Sequence, residues 1–466
     1  MNPAQELVER GLAAAAGAGA TGAVVIVEER SHADVRFALN TTTTNGVHRA
    51  RTVSVVAMTD TAAGTARRSG TVGLDGVEQM ARAAFEDARS APPADDAYDL
   101  VDGRSGLGLG RDFGLGPVET DASALDPVLG SLGAAFGRAE ARDCVLAGFA
   151  ELDVVTVYVG TSTGLRLSHV QPTGAVNLVG RTTDGTGSAW AGAPSVDPSF
   201  EAMENEIWRR LDWGKKRIDL EAGLHEVILP PSGVADMMAM VAFDAVVGRD
   251  AEDGRSVFSK EGGGTRVGER VSSLPFTLSS DPDEPGMECT PFVVAEASSS
   301  ETSVYDNGLP TTRTDWLRGG VLEHLRYHRA GAARSGVPMA PYVDNLVLRC
   351  DDGAGGPGGS VDDMVARTER GLLLTCLWYI RPVDPATLLL TGLTRDGVYL
   401  VEQGKVVGAV NNFRFNESPV DLLARATEVG TPQRTIGREF GEYLNRVLMP
   451  PLRIPDWNMS TVSQAS

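Results

Sequence analysis

Residues 234–247 read VADMMAMVAFDAVV, a helical stretch that is apolar on nearly every side. A helix with no polar face cannot lie on a surface, so the rest of the fold has to enclose it. The stretch follows HEVILPP (225–231), a short apolar run ending in a proline pair, which reads as a strand and a turn. Beyond it, β-rich runs are expected at 290–297, 322–327, 346–349, 371–381, 388–393, 397–402 and 406–413, with a hairpin turn at Gln403-Gly404. Helices are expected at 420–427 and 438–448, a glycine-rich loop at 351–360, and no helical pattern after Pro450. The second half is therefore predicted to be a β-rich domain with a buried helix.

The first half alternates helices with runs of strands. Helical periodicity covers 4–16, 75–90, 125–140 and 200–214. Strands are predicted at 23–29, 34–40 and 51–59, with Asn45-Gly46 marking a hairpin turn, and again at 145–151, 154–161, 165–171 and 175–182. GTGSAWAGAP (185–194) reads as a loop, and the glycine-punctuated stretch 103–116 as a boundary. The pattern is α+β, with helix-plus-antiparallel-sheet units in the first half. Three units are expected: 1–115, 116–222 and 223–466.

A net charge of -20 repels phosphate backbones and anionic lipid, and the longest basic run is Lys215-Lys216-Arg217, so neither nucleic acid nor a membrane surface is an expected partner. No apolar run approaches the ~20 residues of a membrane span. The N-terminus, with acidic residues early, reads as a helix and strand rather than a signal peptide, and a cytoplasmic location is expected. The widely spaced Cys144, Cys289, Cys350 and Cys376 form no CxxC pair and read as free thiols.

Candidate chemistry is sparse. His324 and His328 would share a helix face at i,i+4, but 321–327 alternates as a strand, where such residues lie ~13 Å apart and cannot share one zinc. His225-Glu226 begins like HExxH, yet Leu229 stands where the second histidine belongs. His32, His48 and His169 are scattered singly. GGGTRVG (262–268) lacks a Walker lysine, GLGLG (106–110) lacks the strand-glycine-helix frame, and Asp281, Asp283 and Glu284 sit in a proline turn read as solvated surface.

Three segments carry a family resemblance: the strand, turn and helix of 227–259; GRSVFSKEGGGTRVGERV with SVYDNGLPTTRTDWLRGGVLEHL; and 367–419, with its GVY hairpin. Together they resemble the TldD/TldE (PmbA) family of metallopeptidases. The resemblance implies that the catalytic TldD branch carries His-Glu-x-x-x-His on this helix. In an ungapped register those slots hold Ala239, Met240 and Asp244. Ala and Met are no ligands for zinc, and a single Asp does not make a site. That branch also uses a cysteine from its C-terminal region, and none follows Cys376. The expected set of catalytic, cofactor-binding and metal-ligating residues in this chain is therefore empty, as in the TldE branch.

What the resemblance implies is a heterodimer. A TldD-like metallopeptidase subunit would hold the zinc, this chain would be its non-catalytic partner, and an extended, unfolded or flexible peptide would be the substrate. A homodimer is conceivable when the partner is absent. Two other readings stay open: an independent hydrolase around His324 and His328, and a stand-alone peptide-binding or scaffold protein, or a component of ribosomal peptide maturation.

Overall fold

The computed structural model describes residues 2–463 except Leu107, in the GLGLG run, and Asp352, in the 351–360 loop. Helix α1 (Pro3–Ala18) opens on a capping box: Asn2 Oδ1 accepts from Gln5 N–H, and Gln5 Oε1 from Asn2 N–H, both at 2.9 Å. It stops at Gly19, whose φ of 104° suits a residue without Cβ. Then come β1 (Gly22–Ala38), β2 (Thr41–Met58), β3 (Ala63–Ser69) and α2 (Leu74–Ser90). After them run α3 (Asp126–Glu140), β4 (Cys144–Thr161), β5 (Arg166–Thr182), β6 (Ser188–Ala193) and α4 (Phe200–Gly214).

These six strands make one antiparallel sheet, β3-β2-β1-β4-β5-β6, in which β1 pairs with β4 from Val24 to Phe37. Alternation divides its faces. On β1, Val25, Val27, Ala33, Val35 and Phe37 point to the helices: the inner end packs on α1 and α2, the outer end on α3 and α4. Val24 and Ile26 point the other way, onto Phe292, Val304 and Tyr305 of the second half.

Several strand limits differ from expectation. Runs 23–29 and 34–40 are one strand, as are 145–151 with 154–161 and 165–171 with 175–182, because the residues between them continue the ladder. Asn45 and Gly46 lie inside β2, opposite Val35 and Asp34. The hairpin turns at Leu39-Asn40, with φ of 51° and 58°. Asn40 earns that place by bonding β4: its Nδ2 donates to Cys144 O at 3.0 Å, and its Oδ1 accepts from Leu146 N–H at 2.7 Å. The 185–194 loop instead contains strand β6.

The second half begins with β7 (Arg217–Ile218), β8 (Gly223–Leu229), α5 (Pro231–Met240) and α6 (Gly248–Glu252). Next are β9 (Phe276–Ser280), β10 (Thr314–Arg318), β11 (Val321–Leu322), α7 (Arg329–Ser335), β12 (Leu346–Cys350) and α8 (Val361–Ala366). Then follow β13 (Arg370–Leu374), β14 (Leu377–Asp384), β15 (Leu389–Thr394), β16 (Val398–Glu402), β17 (Lys405–Val410) and β18 (Phe413–Glu417). The chain ends with α9 (Pro419–Arg425), β19 (Glu428–Val429), β20 (Gln433–Thr435), β21 (Val447–Met449) and β22 (Leu452–Val462). One six-stranded sheet runs β11-β10-β9-β12-β21-β20; a larger one runs β14-β15-β18-β22-β8-β13-β16-β17-β7, with β19 on β22.

Helix α5 lies in the core that these two sheets share, packed with Leu278, Leu348, Leu372, Ile454 and Trp457. The α+β class and the buried helix are as the sequence indicates. The Gln403-Gly404 turn is also found, with φ of 47° and 77°. Residues 290–297 form no strand, and 321–327 is a strand only at Val321–Leu322. Residues 438–448 form no helix, and the segment after Pro450 is the long strand β22. Among the described residues no helix is long and apolar enough to cross a membrane.

Candidate functional site

Helix α5 runs regularly to Met240 and then widens into a π turn over Val241–Ala245, with Val246 N–H donating to Val241 O at 3.2 Å. At 100° per residue, positions five apart on a regular helix point about 140° away from each other. A π turn, bonded i to i+5, brings such positions back onto one side. Ala239 and Asp244 are five apart, and the π turn widens the helix between them. Ala239 and Met240 are buried in the core, and neither offers a donor suited to zinc.

Beside Asp244 stands a built-in cation. The Arg326 guanidinium is 2% exposed, donates from Nη2 to Phe243 O at 3.2 Å, pairs with Glu301 and lies 5.6 Å from the Tyr342 ring centroid. Loss of hydration raises the Asp244 carboxyl pKa; the Arg326 charge opposes this and Asp250 adds to it. A fixed guanidinium at this spot disfavours a second cation. Among the described residues no three His, Cys, Asp or Glu side chains gather where they could hold a metal ion. The residues present do not fit zinc.

One turn before Ala239, Asp236 is fully buried. Its Oδ2 accepts from Arg438 N–H at 2.9 Å, and its Oδ1 accepts from Glu439 and Phe440 N–H at 3.0 Å each. Burial raises its pKa to about 7 against the pull of these three amides. Gly437 allows the approach, since a Cβ there would lie 2.2 Å from Asp236 Oδ1. A core carboxyl thus fixes an otherwise irregular loop, 436–445.

That loop walls a cleft of about 780 Å³. Across it stands the helix-free face of the first sheet, with Arg30, His32 and Arg36 of β1, Glu151 of β4 and Asn177 of β5. The third side is β14, an outer strand of the larger sheet, presenting Trp378, Tyr379 and Arg381. Arg30 pairs with Asp153 at 2.6 Å, and Arg381 with Glu439 at 2.8 Å. Sequence reasoning did not find this cleft, because its walls come from five separate stretches of chain.

His32 and His48, expected to stand singly, face each other across β1 and β2 with ring centroids 6.5 Å apart, while the other histidines are dispersed. His324 Nδ1 lies 3.0 Å from Asp315 O, while His328 caps α7, its Nδ1 accepting from Gly331 N–H at 3.2 Å. Burial lowers the His328 pKa. His225 Nε2 lies 3.2 Å from Glu221 O, and Glu226 pairs with Arg453 at 2.7 Å. In GGGTRVG, Gly262, Gly263 and Gly264 make a tight turn at positive φ. Glu284 is buried rather than solvated, paired with Arg349 at 2.5 Å. All four cysteines are free; Cys144, Cys289 and Cys376 are buried and Cys350 half-buried.

A core helix clasped by two sheets behind a helix-backed antiparallel sheet defines an architecture with known relatives. Residues 222–461 match the family described as the PmbA/TldA metallopeptidase C-terminal domain, and the chain belongs to the PmbA/TldD family. It is similar in fold to TldE from Thermococcus kodakarensis (16% identity, TM-score 0.74, covering 97% of this chain and 99% of that one). It is also similar to a putative modulator of DNA gyrase from Bacteroides thetaiotaomicron VPI-5482 (14% identity, TM-score 0.77, 98% and 99% covered). A putative modulator of a DNA gyrase from Thermotoga maritima MSB8 is similar again (16% identity, TM-score 0.72, 97% and 99% covered). No curated protein sequence matches the chain.

Proposed function

We propose that this chain is the non-catalytic, TldE-like subunit of a heterodimeric zinc metallopeptidase acting on unfolded or flexible peptides. The observation that supports this reading is the π turn after α5, which lies between the slots that the resemblance assigns to metal ligands, slots that here hold Ala239, Met240 and Asp244 beside the Arg326 guanidinium. A TldD-like partner would hold the zinc, which supplies Lewis-acid polarisation of the scissile carbonyl. This chain would contribute the cleft and its walls. The outer strand β14 at the cleft's edge supports an extended peptide as the guest, since main-chain hydrogen bonding tolerates many sequences.

The test is reconstitution. Hydrolysis of an unstructured peptide is measured for the purified chain, for a TldD-like subunit, and for the equimolar mixture. Activity that appears, or rises at least tenfold, only in the mixture supports the reading. Equal activity of the chain alone would sink it.

A further inference from the structure

We propose that Arg438 is a carboxylate-binding residue, so that the peptides this cleft receives are recognised through an acidic group. The inference rests on the peptide reading above and adds the chemistry of the guest. Arg438 lines the cleft, and its guanidinium lies 4.6 Å from the Trp378 ring centroid and 5.8 Å from that of Trp190. Two indole faces pin the cation from different strands. Trp190 is itself held by its Nε1–H, which donates to Asn177 Oδ1 at 2.8 Å.

The backbone is fixed as firmly, since Arg438 N–H donates to the buried Asp236. Yet among the described residues the Arg438 side chain makes no ion pair and no hydrogen bond, and its Nε is without a partner. The carboxylates of Glu439, its neighbour in the chain, and of Asp236, which holds its backbone, are committed elsewhere. Glu439 gives Oε1 to Arg381 and Oε2 to Tyr379 N–H, and both oxygens of Asp236 are taken by amides. By contrast, Arg30 and Arg381 in the same cleft each have a carboxylate partner.

A positioned, unpaired guanidinium in a cleft of a chain with net charge -20 selects a carboxylate, which its fork can bind through two parallel N–H donors. A peptide offers that group in two ways, as its C-terminus or as an Asp or Glu side chain.

The experiment titrates the full-length chain with four acetylated Ser/Gly/Ala hexapeptides, followed by tryptophan fluorescence. The first has a free C-terminus and the second an amidated one; the third and fourth are amidated and carry a central Glu or Gln. The expected result is that one carboxylate peptide binds roughly tenfold to a hundredfold more tightly than its neutral counterpart. Which one does so identifies the source of the carboxylate. Arg438→Gln abolishes the preference, and Arg438→Lys retains part of it, with unchanged circular dichroism in both. Equal binding of charged and neutral peptides, a preference that survives in Arg438→Gln, or no saturable signal from any peptide overturns the proposal. Reconstituted peptidase activity scores the subunit role independently, so the two can fail separately.

Discussion

Asp236→Ala removes the carboxyl whose hydrogen bonds tie the core helix to the cleft wall. Three amides, of Arg438, Glu439 and Phe440, lose their acceptor. An unsatisfied buried donor costs about 1–3 kcal/mol, and water entering the vacated space recovers part of that, so a loss of about 3–5 kcal/mol is expected near pH 5. The loss should shrink as pH rises. Below the ordinary carboxyl value of 3.8, folded and unfolded chains both hold the proton; above it the unfolded chain ionises first, and wild-type stability falls until the folded group titrates at about 7. At about 1.4 kcal/mol per pH unit, the wild type gives up roughly 3 kcal/mol between about pH 5 and pH 8, a slope the alanine variant lacks. Urea unfolding, followed by tryptophan fluorescence at both pH values, measures the difference. A penalty that stays constant or grows toward pH 8 would refute the reasoning, because the three amides would then outweigh burial and keep the group ionised.

Gly437→Ala places a Cβ 2.2 Å from Asp236 Oδ1 and should cost about 1–3 kcal/mol; combined with Asp236→Ala it should cost less than the sum, read as a non-zero coupling in a double-mutant cycle of urea midpoints. Arg326→Ala leaves Glu301 without its partner beside Asp244; because Glu301 keeps a side-chain exposure of 35%, the loss of stability should be about 2–3 kcal/mol rather than that of a fully buried pair, measured by the same unfolding assay. Gln403→Asn, at φ 47° before Gly404, should raise stability by about 0.5–1 kcal/mol, since Asn-Gly suits a two-residue hairpin turn better.

The buried helix was legible because its apolar residues leave no polar face. Turns were legible only where nothing distant competed. Gln403-Gly404 turns as its sequence suggests, but Asn45-Gly46 is overruled: β1 and β2 continue their ladder past it, and Asn40 bonds to β4 at the real turn. A run of four threonines, Thr41 to Thr44, was the available signal, since β-branched residues favour a strand. The helix expected at 438–448 fails for a similar reason. Its first amides are taken by Asp236, about two hundred positions earlier, and local periodicity carries no trace of that acceptor. Arg438, Trp190 and Trp378 are likewise brought together by topology, so no spacing in the chain marks them as a group.

In the proposed role this chain leaves zinc to a partner subunit, although α5 ends in a π turn beside Ala239, Met240 and Asp244. Elemental analysis after dialysis against trace zinc tests it on the purified chain and on its equimolar mixture with a TldD-like subunit. Zinc far below one equivalent in the chain alone, and close to one per heterodimer in the mixture, is the predicted result. One tightly held equivalent in the chain alone would contradict the claim and mean that Ala239, Met240 and Asp244 do not mark the site that matters.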